Sequence, residues 1–187
     1  MDREKMRLRL DVNNMMDTFV GEHGISQAEL EAVSGKAREA FEGFQASRGT
    51  GMTGWSELPY NQEEVVCELL KEAKRIREGF ESFVVLGIGG SALGPIAVQQ
   101  ALNHLHYNEL PAEKRGGPRL YVEDNVDPER MEALLDVVNP ETACFNVITK
   151  SGSTSETMTQ YLVICDILKK RLGDRAKEHI VATTSAD

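Results

Sequence analysis

Tryptophan occurs once in this chain of 187 residues, aromatic residues make up 6% of it, and there are only three cysteines and six prolines. Cys67, Cys144 and Cys165 are odd in number and far apart, which excludes a disulfide framework and the close ligand pairs of a zinc site. Each sits in an apolar pattern and is expected to be a buried thiol in a reducing compartment. Basic residues are also scarce, 21 against 30 acids for a formal charge of −9. No basic stripe offers a duplex or single strand the counter-charge it requires, so nucleic acid is not an expected partner. A long apolar run is missing as well. Ser82 to Asn108 carries no formal charge, but Gly87, Gly89, Gly90, Gly94, Pro95, Gln99, Gln100 and Asn103 interrupt it, so no membrane span is expected. The start, Met1-Asp2-Arg3-Glu4-Lys5, alternates charge with no apolar run behind it, which gives no signal peptide or lipidation motif and an expected cytoplasmic location. A glycine-lysine-serine/threonine sequence is absent, which excludes a P-loop.

What remains is the composition of an ordinary folded protein, 41% apolar and 27% charged. The first part is helical in pattern. Ser26 and Glu29 form a capping box, and Leu30, Val33, Ala37, Phe41 and Phe44 then recur at helical spacing, predicting an amphipathic helix of about five turns whose apolar face packs. Ser47 to Trp55 is rich in turn formers and predicts a linker or an ordered loop pinned by the tryptophan. A second helix is expected from Asn61, with Val66, Leu69, Leu70, Ala73 and Ile76 on one side.

From Phe83 onward short apolar runs alternate with helical patterns. Phe83–Ile88, Leu120–Val122, Cys144–Ile148 and His179–Thr183 predict four strands. Between them lie a helix from Leu93 to about Leu105, a helix capped by Asp127-Pro128 that buries Met131, Leu134, Leu135 and Val138, and a helix that buries Met158, Tyr161, Cys165, Leu168 and Leu172. Alternation of this kind implies an α/β fold, an αβα sandwich on a parallel sheet with right-handed crossovers, preceded by a helical segment. The expected division is residues 1–80 for the helical segment and linker and 81–187 for the α/β domain.

Ligands of such folds bind beyond the carboxyl ends of the strands, which singles out three loops. Thr149-Lys150-Ser151-Gly152-Ser153-Thr154-Ser155-Glu156-Thr157 packs six hydroxyls and a glycine between a strand and a helix. Hydroxyls, free backbone amides and the positive end of a helix together make a phosphate seat, and short-range donors suit an acidic chain that repels dianions at a distance. The competing reading is a Ser/Thr-rich helix cap with no ligand. Leu86 to Pro95 runs from strand through a glycine turn into a helix, with Ser91 at its mouth. Gly87, Gly89 and Ala92 fit a loose dinucleotide fingerprint, but the acids expected about 20 residues on lie at Glu123 and Asp124, more than thirty away, so a nucleotide-dependent oxidoreductase fits poorly. In Glu123-Asp124-Asn125-Val126-Asp127-Pro128 the acids suit a sugar hydroxyl or a metal, but a helix cap by Asp127 and a solvated turn fit better. His23, His104, His106 and His179 show no carboxylate partner and read as structural or exposed, and no metal site is expected.

Taken together, Gly87-Ile88-Gly89-Gly90-Ser91-Ala92-Leu93-Gly94, the Val122 to Pro128 stretch and Thr149 to Thr157 resemble the first sugar-isomerase domain of the glucose-6-phosphate isomerase (phosphoglucose isomerase) family. Gly54-Trp55 and Leu58-Pro59 are similar to the lead-in of bacterial members. The resemblance implies that Thr149, Ser151 and Thr154 offer hydroxyls to a substrate phosphate, that Lys150 adds a backbone amide, and that Gly90 and Ser91 line the sugar side. It further implies interconversion of glucose 6-phosphate and fructose 6-phosphate in glycolysis and gluconeogenesis through an enediolate, with no cofactor, in a homodimer. The family's glutamate, histidine, lysine and arginine of catalysis, and its second sugar-isomerase domain, correspond to positions past Asp187. No catalytic residue is therefore expected in this stretch, and the isolated chain is expected to be inactive. A stand-alone sugar-phosphate sensor is the alternative.

Overall fold

The computed structural model describes residues 7–60 and 62–185, and the chain divides into two compact units, Met1–Glu63 and Glu64–Asp187. Both ends of the sequence and the expected helix start at Asn61 lie outside the described residues.

The first unit is built of local structure. A short helix α1 (Asp17–Val20) precedes α2 (Gln27–Ser47). The Ser26 hydroxyl accepts from the Glu29 amide at 3.3 Å, and the Glu29 carboxylate accepts from the Ser26 amide at 2.9 Å. That is the expected capping box, and it holds the Glu29 carboxyl below its ordinary value, chiefly through the Ser26 backbone hydrogen bond. The expected packing of α2 does not appear. None of its residues is buried, and Val33 and Phe41 are 52% and 60% exposed. A single helix among short turns has no second layer to cover its face within this unit. The glycine-rich stretch after it is ordered as a 3-10 helix, Gly51–Glu57, in which the Thr53 hydroxyl bonds Ser47 O and Trp55 lies 6.1 Å from the Phe44 ring.

The second unit begins with α3 (Glu63–Gly79) and continues β1 (Ser82–Leu86), α4 (Gly90–Leu102), α5 (Ala112–Arg115), β2 (Arg119–Glu123), α6 (Pro128–Val137), β3 (Ala143–Ile148), α7 (Ser155–Leu172) and β4 (Ile180–Thr183). The four strands form one parallel sheet in the order β2-β1-β3-β4. Alternate residues of a strand face opposite sides, and Val84, Leu86, Phe145 and Val147 on one face form the core with Leu134 and Val138 of the α6 region and Ile164 and Leu168 of α7. On the other face α4 buries Ala92, and Arg75 of α3 lies beside buried Cys144. This is the layered α/β arrangement expected from the sequence.

Several details differ from expectation: Met131 and Leu135 are half-buried rather than buried, and α4 runs Gly90–Leu102 rather than Leu93 to about Leu105. The buried stripe of α7 is Thr157, Gln160, Ile164 and Leu168, with Met158, Tyr161, Cys165 and Leu172 only half-buried at its flank. Polar Thr157 and Gln160 take places in the buried stripe, Gln160 because two carbonyls, Glu123 O and Asn125 O, receive its side-chain amide. β1 ends at Leu86 rather than Ile88, since Gly87 turns away to let the chain meet its own helix. Of the cysteines, Cys144 is buried, with its thiol pushed up to about 11 by burial, whereas Cys67 is exposed on α3.

Candidate functional site

β1 pairs with β2 on one side and with β3 on the other, so the chain leaves β1 and β3 in divergent directions and a crevice opens between their carboxyl ends. In register, Leu86 stands beside Val147, and the glycine turn and the hydroxyl loop therefore spring from neighbouring strand ends. Gly87 is confined: a Cβ there would meet the Ser91 Cβ at 2.9 Å and Ser91 O at 3.1 Å. Gly89 has φ 54° and serves as the N-cap of α4. The structure thus sets Gly90 and half-buried Ser91 in the first turn of α4 rather than in an open loop. Pro95, lacking an amide, withholds the helix donor that Ser91 O would otherwise have.

In the loop after β3, Thr149 is buried, its amide donates to Thr183 O at 3.0 Å, and its hydroxyl lies 3.4 Å from that of Thr154. Ser151 and Ser153 share a hydrogen bond of 2.6 Å around Gly152, whose φ is 69°. Lys150 is exposed. Its carbonyl is held by the Ser185 amide and the Thr184 hydroxyl, at 3.2 and 3.4 Å, while its own amide meets no acceptor among the described residues. Thr154 is the N-cap of α7, yet makes no side-chain cap hydrogen bond. Next to the loop is a pocket of about 230 Å³ lined by Thr149, Gly152, Met158, Tyr161, Ala182 and Thr184.

The helix starts differ in a telling way. Ser26 caps α2 and Asp127 caps α6, the latter accepting from the Glu129 and Arg130 amides at 2.9 and 3.4 Å. α4 and α7, the helices that follow the two motif loops, have no side-chain cap. Among the described residues the Gly90 amide at the start of α4 and the Ser155, Glu156 and Thr157 amides at the start of α7 meet no acceptor, whereas the Ser91 and Ala92 amides are taken by Ile88 O and Gly89 O, so the end of α7 is where an oxyanion is most favoured. A serine- and threonine-rich cap does not account for the β3 loop, because none of its six hydroxyls caps α7.

One residue central to this arrangement escaped the sequence reading. Gln160, 2% exposed, donates through Nε2 to Glu123 O at 3.3 Å and Asn125 O at 2.9 Å, tying α7 to the loop after β2. Glu123 O also accepts from the Gly87 amide at 3.2 Å, so one carbonyl links the glycine turn, the loop after β2 and α7. The Glu123 carboxyl is pushed above its ordinary value by burial, partly offset by Arg130, whose Nε stands 3.3 Å from Oε2 without hydrogen-bond alignment. Arg130 also pairs with Asp124 at 2.8 Å. A polar residue within a buried helical stripe was the signal for Gln160. Among the described residues no group of three His, Cys, Asp or Glu stands ready to hold a metal, and no helix is long and apolar enough to cross a membrane.

Residues 71–187, more than half of the chain, match the family model of phosphoglucose isomerase. The chain belongs to the phosphoglucose isomerase family. Among curated relatives it is 47% identical over 182 residues to the glucose-6-phosphate isomerase of Carboxydothermus hydrogenoformans, and 42% identical over 168 residues to that of Rubrobacter xylanophilus. Those alignments take in 97% and 88% of this chain but 39% and 36% of the relatives, so it spans about two-fifths of the length of the family members it matches. Among solved structures, a hypothetical protein from Thermus thermophilus superposes with a TM-score of 0.69 at 34% identity, covering 97% of this chain and 39% of that one. A glucose-6-phosphate isomerase from Chlamydia trachomatis gives a TM-score of 0.56 at 27% identity, covering 66% of this chain and 22% of that one.

Proposed function

We propose that this chain supplies the phosphate-holding part of a glucose-6-phosphate isomerase, the N-terminal portion of an enzyme that interconverts glucose 6-phosphate and fructose 6-phosphate in glycolysis and gluconeogenesis. The observation that carries this reading is the start of α7, which follows the hydroxyl loop with no side-chain cap and with its first-turn amides free among the described residues, next to the glycine turn into α4 at the sheet's switch point. In this reading Thr149, Ser151 and Thr154 donate hydroxyls to the phosphate, the Lys150 amide adds a fourth donor, and Gly90 and Ser91 line the sugar. Glycine at 89 and 90 leaves room for close approach of the ring.

Aldose–ketose isomerisation moves a proton between adjacent carbons through an enediolate. It needs a base, a group that opens the ring and a cation opposite the developing negative charge. We assign none of these to the present stretch. Following the family resemblance, base, ring-opening group and cation correspond to positions past Asp187, the reaction needs no cofactor, and the complete enzyme is a cytoplasmic homodimer. The domain of residues 81–187 is thus a binding half-site, and residues 1–80 its helical preface.

Calorimetric titration with glucose 6-phosphate tests this. The purified chain is expected to bind weakly, and Ser91→Ala and Thr154→Ala each to weaken binding by about 1 kcal/mol. Unchanged binding in both variants would reduce the loops to helix starts. Turnover of either sugar phosphate by the 187-residue chain would overturn the placement of the catalytic groups elsewhere.

A further inference from the structure

We propose a second anion site at the opposite end of the sheet, a pocket built on Arg77 and Arg115 that takes the phosphate group of a small phosphorylated metabolite. It lies against the amino ends of β1 and β2, separated from the crevice by the length of a strand, roughly 15 Å. The pocket has a volume of about 270 Å³, and its lining includes Arg77, Arg115, Tyr107, Asn103, Phe83 and Gly117 but no acidic residue.

The charge pattern is the first argument. With 30 acids against 21 bases, a guanidinium in this chain is surrounded by candidates for pairing. Arg48, Arg75 and Arg130 each find a carboxylate, at Glu57, Glu72, and Glu123 with Asp124. Arg77, Arg115 and the adjacent Arg119 find none among the described residues, and neither do Arg7, Arg9, Arg38, Arg171 and Arg175; what sets the pocket's arginines apart is how they are held. Arg115 and Arg119 are instead held by backbone carbonyls, Arg115 Nε on Gly117 O at 2.8 Å and one terminal nitrogen on Leu110 O at 2.7 Å, and Arg119 Nε on Asn108 O at 3.2 Å. Carbonyls fix the direction of a guanidinium without neutralising it, which leaves a charged, oriented fork of the kind that suits phosphate oxygens.

Convergence is the second argument. A methyl group built on Gly117 would stand 3.2 Å from Tyr107 Oη and 3.9 Å from Arg77 Nε, so both donors approach the same point. Gly116, at φ 68°, makes the turn that brings the Arg115 segment there. Arg77 lies in the last turn of α3, where a cation offsets the partial negative charge of the helix end. That end carries about half an elementary charge, so two guanidiniums leave the pocket net positive. Its small volume and single-point convergence suit one phosphate group on a small body rather than a polymer backbone.

The test is a titration of the ¹⁵N-labelled 187-residue chain with inorganic phosphate, followed by glycerol 3-phosphate. The Gly116 and Gly117 amides and the Arg77 side-chain Nε–H are expected to shift and saturate. Arg77→Gln should weaken that response about tenfold and leave the response at Gly152 and Thr154 as it was. Should Arg77→Gln lose the dispersed sheet resonances, Tyr107→Phe is the second variant, with a weakening of about threefold. Saturation by the ester as well as by inorganic phosphate supports a metabolite ligand, and saturation by inorganic phosphate alone overturns that identification. Shifts confined to the β3 loop, or no saturation at Gly116 and Gly117 by ~50 mM phosphate, would overturn the site. Silence at Gly152 with a response at Gly117 would instead count against the crevice alone.

Discussion

The two units of this chain carry similar densities of apolar residues at helical spacing and use them differently. Among the described residues, every buried apolar side chain lies between Ile76 and Ala176, while the segment through Glu63 buries only Ser56. α2 is longer than α7, 21 residues against 18, yet α7 buries four residues and α2 none. The difference is the sheet. A parallel sheet gives each crossover helix a wide apolar floor, whereas α2 rests on its cap, its helix propensities and one aromatic contact near its end.

That contrast is broken most severely at Phe145, which is fully buried between β3 and the α6–α7 layer. Phe145→Ala should cost about 4 kcal/mol and unfold the sheet unit in urea, leaving the α2 helical signal as the residue of structure. A retained, cooperative sheet transition in that variant would mean that Phe145 does not anchor the sheet's core. Gly87→Ala comes next. Its Cβ would press on Ser91 from 2.9 Å, so a loss of about 2 kcal/mol is expected, with weaker phosphate binding than Thr154→Ala produces. Equal binding in the two variants would show that the start of α4 does not touch the ligand.

Smaller effects sharpen the comparison. Burial raises the Glu123 carboxyl in the folded state, so the fold retains that proton more firmly than the unfolded chain. Stability therefore falls as pH rises from the ordinary carboxylate range through the raised value. Glu123→Gln should gain melting temperature relative to wild type at pH 7, with the gain fading toward pH 4; a constant difference at both pH values would discard the linkage. Phe41→Ala, on the exposed face of α2, should shift the sheet transition by less than ~0.5 kcal/mol. A larger shift would assign that face a covering surface.

The sheet was legible because fully buried strands read as unbroken apolar runs, and Phe83 to Leu86 and Cys144 to Ile148 have no other reading in a chain of this charge. The capping box at Ser26 and the Asp127 cap were equally plain, since each is decided within four residues. Burial was less legible. Leu30, Val33 and Phe41 have the spacing of a packed face, but spacing alone does not supply the surface that packs on it. Within α7, Gln160 was invisible for the opposite reason: a polar side chain on the sheet side is tolerated only because two carbonyls, Glu123 O and Asn125 O, distant in sequence, receive it. For the candidate site, residue types and order pointed to the two loops, but the lack of side-chain caps on α4 and α7 emerged only from hydrogen bonds.

The position of β1 has a further consequence for how the molecule comes into being. Its residues pair with β3 partners about sixty positions later in the chain, and the crevice exists only between those two strands. During synthesis the glycine turn therefore emerges long before the wall it will face, and a nascent chain that has not yet reached Ile148 has no cleft. Cleft formation and closure of the central sheet are one event, so an anion held there stabilises the finished sheet without guiding the early chain.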